Sequence, residues 1–396
     1  MLFIDFRKAF DTVDAALLLL KLFHYGFDNA SLRLITNYFS DRTQMTKLNN
    51  HLSSPSPILL GVPQGSILGP LFFLIFINDL PFYLKEVMSK LFADDSTFYQ
   101  SDVDLERLLL KFNKNIRPLL EWCDHNHLDI NWKKTFCMFI SNKRGIKYPT
   151  SILIDNESVE VVDNFKLLGV NIDNKLNFKK HVLNICVQIN QKLFSIKKLF
   201  YLATSVKLQF FKTFIMPYFD YCLSIAIYFN KEALQKLSNC FYMCLLKLFS
   251  FNFKDWSNEQ VNNFLKNYGL FSFQSRCLLR LALFSFKIVN NSNSPPNLKK
   301  QIIQTKNKIG AHDLRNNSDI VVKNTLNKFG EKCFSKFFPT MINLCFGGDY
   351  FFNINLISFK NSLLKTINIL SCKFSNNFDL FNLQISTFVN FKKKKL

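Results

Sequence analysis

The 396-residue sequence predicts an α+β fold, a sheet backed by helices, followed by a mostly helical stretch and then irregular chain. Three observations carry that expectation. Short apolar, β-prone runs alternate with helical periodicity up to about residue 178. From Val103 to Cys123, apolar Leu105, Leu108, Phe112, Ile116, Leu119 and Cys123 recur at helical spacing, as in a helix that covers a sheet. Beyond residue 178 the β signals fade, and Val182, Ile185, Ile189, Leu193 and Ile196 mark one face of a further helix, with Gln191, Lys192, Lys197 and Lys198 on the rest of its surface.

Taken in order, Leu2-Phe3-Ile4 is too short for a helix and is bounded by charge, so it reads as a buried strand. Leu17 to Phe23 is apolar and helix-prone until Gly26 breaks it, and Ala30, Leu34, Ile35 and Phe39 give a second helix. Ser53-Ser54-Pro55-Ser56-Pro57 is turn-rich and leads into a loop around Gly61. Leu71 to Leu80 is expected to be helical and mostly buried. Leu91 to Tyr99 reads as a hairpin around Asp94-Asp95. Strand-like pieces follow at 136–140, 151–154 and 159–162, then at 165–172 with Gly169 as a tight turn. Val206 to Ile215 and Ala233 to Phe249 continue the helical region, Ser292 to Pro296 looks like a linker, and Lys392 to Lys395 reads as a solvated tail. There is no internal repeat.

Fifty Lys and Arg against 29 Asp and Glu leave a net charge of +21. Such an excess points to a polyanionic partner, most simply nucleic acid. The alternative is compositional drift: Lys, Asn and Phe (46 Phe) are all abundant, as an AT-biased coding sequence would make them. None of the ten cysteines forms a CxxC pair, which argues against a zinc knuckle and for free thiols in an intracellular chain. The charged start is unlike a signal peptide, and the longest apolar run, Leu71 to Ile77, is too short to span a bilayer. A soluble protein without a membrane partner is expected.

The candidate chemistry rests on three acidic positions and one loop. Asp5 ends the first strand, and Asp94 and Asp95 sit at the hairpin turn. An Asp-Asp pair at a turn ordinarily just faces water; its value here lies in the order and spacing of the neighbouring motifs. Magnesium takes hard oxygen ligands and keeps several waters, so two or three carboxylates suffice to hold the two ions used in nucleotidyl transfer. Gly61-Val62-Pro63-Gln64-Gly65 offers a rigid loop with a side-chain amide able to reach a nucleotide, and Gly65 and Gly69 permit close backbone approach. Phe10 is placed where an aromatic could block a 2′-hydroxyl, although simple core packing also explains it.

These stretches closely resemble the reverse transcriptases of non-LTR (LINE-like) retrotransposons, most of all the jockey-type branch. Phe3-Ile4-Asp5-Phe6-Arg7-Lys8-Ala9-Phe10-Asp11-Thr12-Val13-Asp14 resembles the first palm motif, and Gly61 to Pro70 with Phe76-Ile77-Asn78-Asp79-Leu80-Pro81 resembles the second. Phe92-Ala93-Asp94-Asp95 resembles the metal-binding box, with Phe where Tyr is commoner. Asn131, Lys134 and Thr135 match the next motif, and Phe165-Lys166-Leu167-Leu168-Gly169 resembles the primer-grip hairpin. Weaker similarity runs through Phe214 to Cys222, Leu281 to Pro296 and Phe334 to Lys365.

The resemblance implies a polymerase palm, an antiparallel sheet backed by helices, over residues 1–178, a helical thumb over 179–250, and a C-terminal region of retroelement type with a basic tail over 251–396. It implies that Asp5, Asp94 and Asp95 bind two Mg²⁺ ions, with Mn²⁺ as a substitute. Phe10 would favour deoxynucleotides, Gln64 and Gly65 would meet the incoming nucleotide, and Lys134 would lie near its triphosphate. Leu168 and Gly169 would help hold the primer end. The implied partners are an RNA template, a DNA primer and deoxynucleoside triphosphates, acting in the nucleus for target-primed synthesis or else in the cytoplasm. Family members carry a fingers region, and often an endonuclease, before the first motif. With Met1 four residues ahead of Asp5, both are expected to be missing, and the chain to be an incomplete copy that polymerises poorly alone. There is also no ribonuclease H carboxylate set. Two rival readings stay open, a non-enzymatic nucleic-acid-binding remnant and a group II intron-type maturase; the Ile77-Asn78-Asp79-Leu80-Pro81 tail speaks against the second.

Overall fold

A computed structural model describes residues 1–299, apart from 142, 144, 197–200 and 250–257, together with residues 355–373. The Lys392 to Lys395 run, Lys197 and Lys198, and most of 297–396 lie outside the described residues. The chain divides into two compact units, Met1–Gly169 with Asp173–Lys175, and Val170–Ile172 with the chain from Leu176 onward.

The first unit is built on β1 (Leu2–Ile4), whose three residues are all buried. Helices α1 (Ala15–His24) and α2 (Asn29–Phe39) follow, each N-capped by an aspartate, Asp14 and Asp28. Those carboxylates accept backbone N–H groups that the first turn of a helix leaves without partners. Gly26, at φ 89°, ends α1 as expected. On α2, Ile35 is buried while Leu34 turns to solvent.

The Ser/Pro stretch is more ordered than its composition suggests. Four two-residue strands, β2 (Thr43–Gln44), β3 (Lys47–Leu48), β4 (His51–Leu52) and β5 (Ser56–Pro57), form nested exposed ribbons, β2 with β5 and β3 with β4. Asn49 and Asn50, with φ of 47° and 67°, make the two-residue turn of the inner ribbon. An Asn-Asn pair between short runs was the available signal for it.

Helix α3 (Leu68–Ile77) buries Phe72, Phe73, Phe76 and Ile77, but Leu71 and Leu74 are half exposed, so this segment is less buried than its composition suggests. The short helix α4 (Leu80–Tyr83) completes the turn into the hairpin of β6 (Met88–Phe92) and β7 (Asp95–Tyr99). Helix α5 (Leu105–His125) lays Phe112, Ile116, Leu119, Trp122 and Cys123 into the core that also holds Leu2, Ile4 and Phe98. This is the amphipathic cover expected from the spacing.

The sheet itself corrects one expectation: it is mixed, not wholly antiparallel. With β8 (Phe136–Cys137), β9 (Ser151–Ile154) and β10 (Glu157–Val161), the order is β6-β7-β1-β8-β10-β9. All neighbours are antiparallel except β8 and β10. After β8 the chain passes the next position, lays down β9 at the edge, and returns in a hairpin that drops β10 between them. Two reversals make β10 run the same way as β8. The strand expected over 136–140 is correspondingly short, continued by a reciprocal pair of bonds: Met138 N–H to the Met1 carbonyl at 2.8 Å, and the Met1 amino group to the Met138 carbonyl at 2.9 Å.

Beneath the sheet lies an ion pair that joins three helices. The Lys21 ammonium donates to both oxygens of Asp79, each at 2.8 Å, and to the Phe76 carbonyl at 2.7 Å. The Trp122 indole N–H donates to the same Asp79 carboxylate at 3.1 Å. Lys21 also lies 4.6 Å from the Phe76 ring and 4.9 Å from the Trp122 ring. Burial pulls its ammonium below the usual lysine range, opposed by the Asp79 carboxylate. Asp79 in the second motif thus has a structural task, tying α1 and α5 to the end of α3.

Two short strands, β11 (Asn164–Leu167) and β12 (Val170–Asp173), are separated by the turn Leu168-Gly169. The described residues of the second unit from Lys179 onward are mostly helical. Its helix α6 (Lys179–Ile196) buries Val182, Ile185, Ile189 and Leu193, the face read from the spacing. Helix α7 (Thr204–Phe210) widens into a π-helical turn at Phe211–Ile215 before α8 (Met216–Asp220). Pro217 has no N–H to give to the carbonyl of Thr213, which removes one bond from the regular helical ladder there. Helices α9 (Lys231–Phe249), α10 (Asn258–Asn267), α11 (Phe273–Asn290) and α12 (Pro296–Lys299) follow, with a last described helix at Leu356–Lys373. Phe211, Phe219, Phe241 and Phe273 meet edge-on or tilted in the core, ring centroids 5.3 to 6.2 Å apart. No helix among the described residues is long and apolar enough to cross a membrane.

His181 of α6 is buried at 4 % exposure and sits edge-on to Phe229, its Nδ1 accepting the Asn171 N–H at 3.4 Å. Burial lowers its pKa from the ordinary 6.5. A depressed native pKa means the unfolded chain takes up the proton first, so stability present above pH 6.5 is lost as pH falls through the native value. Urea unfolding between pH 7.5 and 5.5 is expected to show that loss, and His181→Gln to flatten it. Equal slopes in the two proteins would remove His181 as the cause.

Candidate active site

Two acidic positions are brought together by strand register. In β1 and β7, Leu2 faces Phe98, Phe3 faces Thr97 and Ile4 faces Ser96. The paired ladder ends there; the same register continued by one step carries Asp5 toward Asp95. Directly opposed residues of an antiparallel pair have β-carbons about 5 Å apart. Alternation puts Asp5 on the face of Phe3, away from Leu2 and Ile4, which point into the helix-covered core. Asp95 shares that outer face.

Asp94 comes from the hairpin tip. Phe92 pairs with Asp95, so Ala93 and Asp94 form a two-residue turn. Ala93 sits in the left-handed region at φ 53°, a conformation that costs a residue with a β-carbon roughly 1 to 2 kcal/mol. Ala93→Gly is therefore expected to raise stability by roughly 0.5 to 1 kcal/mol after the entropy of glycine is set against it. The urea midpoint measures this, and a lower midpoint in the variant would show the turn to be unstrained.

The carboxylates sense one another. Asp95 reaches solvent, yet its carboxyl is raised above the usual range by partial burial, then by the charges of Asp94 and Asp5. Asp5 is one-third exposed and is partly compensated: the Asn131 amide donates to its Oδ2 at 3.1 Å, and the Lys134 ammonium lies 3.8 Å from the same oxygen. Among the described residues, no three His, Cys, Asp or Glu side chains are drawn close enough to grip an ion by themselves. Asp5, Asp94 and Asp95 fit a divalent cation in kind: hard oxygen donors with mutual repulsion that a cation relieves.

The loop carrying Gln64 packs on the turn that follows Asp5. Gly61 N–H bonds to the Val13 carbonyl at 2.8 Å and Val62 N–H to the Phe10 carbonyl at 2.9 Å. Gly61 is obligatory, because at φ 89° a β-carbon would stand 2.7 Å from the Asp11 carbonyl oxygen. The exposed Gln64 donates its amide to Asp11 Oδ1 at 2.8 Å. Gly65, at φ 77°, borders open space. Phe10 is half-buried, its ring stacked on Phe73 at 4.6 Å, so the packing role is present. Lys134 is 70 % exposed and addresses Asp5. Leu168 and Gly169 hold their two-residue turn at φ 45° and 83°.

Sequence reasoning missed what Asn131 and Asp11 do. Asn131 stood in a matched motif without a role, and Asp11 was only part of one. Their hydrogen bonds to Asp5 and Gln64 span chain separations that no local pattern reports.

Residues 1–172 match the family model described as reverse transcriptase (RNA-dependent DNA polymerase). The chain is 24% identical over 246 residues to the RNA-directed DNA polymerase from mobile element jockey of Drosophila melanogaster, covering 59% of this chain and 26% of that protein. It is 28% identical over 236 residues to the probable RNA-directed DNA polymerase from transposon X-element of the same species, covering 56% and 25%. With the probable polymerase from transposon BS, also of D. melanogaster, it shares 29% over 195 residues, covering 46% and 20%. The chain thus spans about a quarter of the length of the curated relatives it matches. A telomerase from Candida albicans, solved with a fragment of telomeric RNA, aligns with a TM-score of 0.32 at 14% identity over 67% of this chain and 49% of that one, too loosely to carry an argument. The ordered motifs and these matches agree: residues 1–172 are similar to the reverse transcriptase family, and the chain as a whole to the RNA-directed DNA polymerases of these mobile elements.

Proposed function

We propose that this chain carries the catalytic centre of an RNA-directed DNA polymerase, in which Asp5, Asp94 and Asp95 hold two divalent cations, Mg²⁺ or in its place Mn²⁺. The observation that supports this most is the strand register that carries Asp5 toward Asp95, whose carboxyl is raised by partial burial and then by the charges of Asp94, at the turn, and Asp5. When bound, the cations supply charge neutralisation and activation of a hydroxyl nucleophile. The reaction joins the primer 3′-hydroxyl oxygen to the α-phosphorus of a deoxynucleoside triphosphate and releases pyrophosphate.

The chain's own residues then take these tasks. Phe10, braced by Phe73, walls the sugar site against a 2′-hydroxyl. Gln64 leaves Asp11 for the nucleotide, and the open space at Gly65 admits it. Lys134, on its exposed stem, meets the leaving phosphates. Leu168 and Gly169 present a turn to the primer end. The palm is assigned to residues 1–178, the helical thumb to 179–250, and a retroelement C-terminal region to 251–396. RNA template and DNA primer are the partners, and the net charge of +21 suits them; target-primed synthesis would place the protein in the nucleus.

Primer extension on an RNA template by the purified chain tests the reading. Incorporation of deoxynucleotides that disappears in Asp95→Asn supports it. Nucleic-acid binding that is equal in both proteins, with no incorporation by either, would favour a binding remnant instead.

A further inference from the structure

We infer that Asn131 is a positioning residue for Asp5, fixing which carboxylate oxygen is offered to a divalent cation; the inference rests on the metal site proposed above. Asn131 is itself immobilised from several sides. Its N–H donates to the Asp5 carbonyl at 2.8 Å, and its own carbonyl accepts the Lys134 N–H at 2.9 Å and the Thr135 hydroxyl at 3.0 Å. Just before it, Ile130 bridges Phe6, and the Arg7 N–H reaches the Asp129 carbonyl at 2.8 Å. Thr135 is buried at 1 % exposure, which anchors that turn to the unit.

From this fixed backbone the Asn131 side-chain amide donates to Asp5 Oδ2 at 3.1 Å. The Lys134 ammonium addresses the same oxygen from 3.8 Å. Both donors take Oδ2, which leaves Oδ1 as the oxygen a cation can take. Asp5 lies one residue past the end of a three-residue strand and is one-third exposed, so without this bond its side chain would sample other rotamers. A neutral amide suits the task better than a second close cation would. It orients the carboxylate without cancelling the charge that attracts the metal. Lys134, 70 % exposed and at the limit of ion-pair distance, compensates Asp5 only weakly.

The test is Mn²⁺ binding to the full chain without nucleic acid or nucleotide, followed by electron paramagnetic resonance of free Mn²⁺. Asn131→Leu keeps the volume and the backbone N–H bond but loses the donor; Asn131→Ala serves if the leucine variant is not folded by circular dichroism. Asp95→Asn is the control for the site itself. Loss of an outer-shell partner typically weakens metal binding by about 10- to 100-fold, and about tenfold is expected for Asn131→Leu at an unchanged thermal midpoint. Wild-type affinity in Asn131→Leu, with weakened binding in Asp95→Asn, would overturn the positioning role and leave the metal site standing. Unchanged binding in Asp95→Asn would overturn the metal site, and the inference with it.

Discussion

Asp94→Ala is expected to reduce primer extension by the purified chain about a thousandfold or more, with its fold unchanged. Asp94 sits at a hairpin turn and is partly exposed, so its removal costs little packing. Its carboxylate is one of three acidic groups here, and its charge, after partial burial, is a cause of the raised Asp95 carboxyl. On the proposed reading it is a cation ligand whose loss forfeits several kcal/mol of charge stabilisation, each 1.36 kcal/mol being about a tenfold change in rate. Circular dichroism and the thermal midpoint separate this from unfolding. Extension within tenfold of the parent by a folded Asp94→Ala protein would remove Asp94 from the chemistry.

Asp220→Ala should strongly destabilise the helical unit. The carboxylate at the end of α8 accepts from two guanidinium groups of α11, those of Arg276 and Arg280. The Asp220 side chain is 17% exposed and that of Arg276 12%, so the alanine variant leaves a largely buried guanidinium without its acceptor. Breaking one side of such a pair costs about 3 to 5 kcal/mol, most of it the uncompensated charge left behind. Urea unfolding followed through the aromatic core measures it. The double variant Asp220→Leu/Arg276→Met should recover much of the loss, because no buried charge is stranded. A double variant as unstable as Asp220→Ala would show that the damage comes from packing.

The local pattern of the first unit was legible because each element announces itself over a few residues. Leu2-Phe3-Ile4, the apolar run ended by Gly26, the hairpin around Asp94-Asp95 and the helical spacing from Leu105 to Cys123 are all short-range signals. What escaped depends on pairing across distance. The parallel alignment of β10 with β8 follows from where the 138–150 connection crosses, which no residue type encodes. Lys21 reads as one more surface cation on a helix until Asp79 and Trp122 are folded against it. Of the site, residue types and order could be read, while the Asn131 bond to Asp5 and the Gln64 bond to Asp11 required the fold. In the second unit the Phe-rich composition concealed which rings would cluster, since nearly every helix carries several.

The central position of β1 has a consequence for how the chain folds. Its neighbours are recruited from residues 95–99 on one side and 136–137 on the other. Until both have been synthesised and docked, Leu2, Phe3 and Ile4 have exposed amide groups and an oily surface, the sort of segment that sticks to other chains. The group of three aspartates consequently cannot mature piecemeal; it is assembled only once distant stretches have docked beside the same strand. Conditions that slow this closure, such as crowded expression at high temperature, should produce aggregates before they produce a soluble but inert protein.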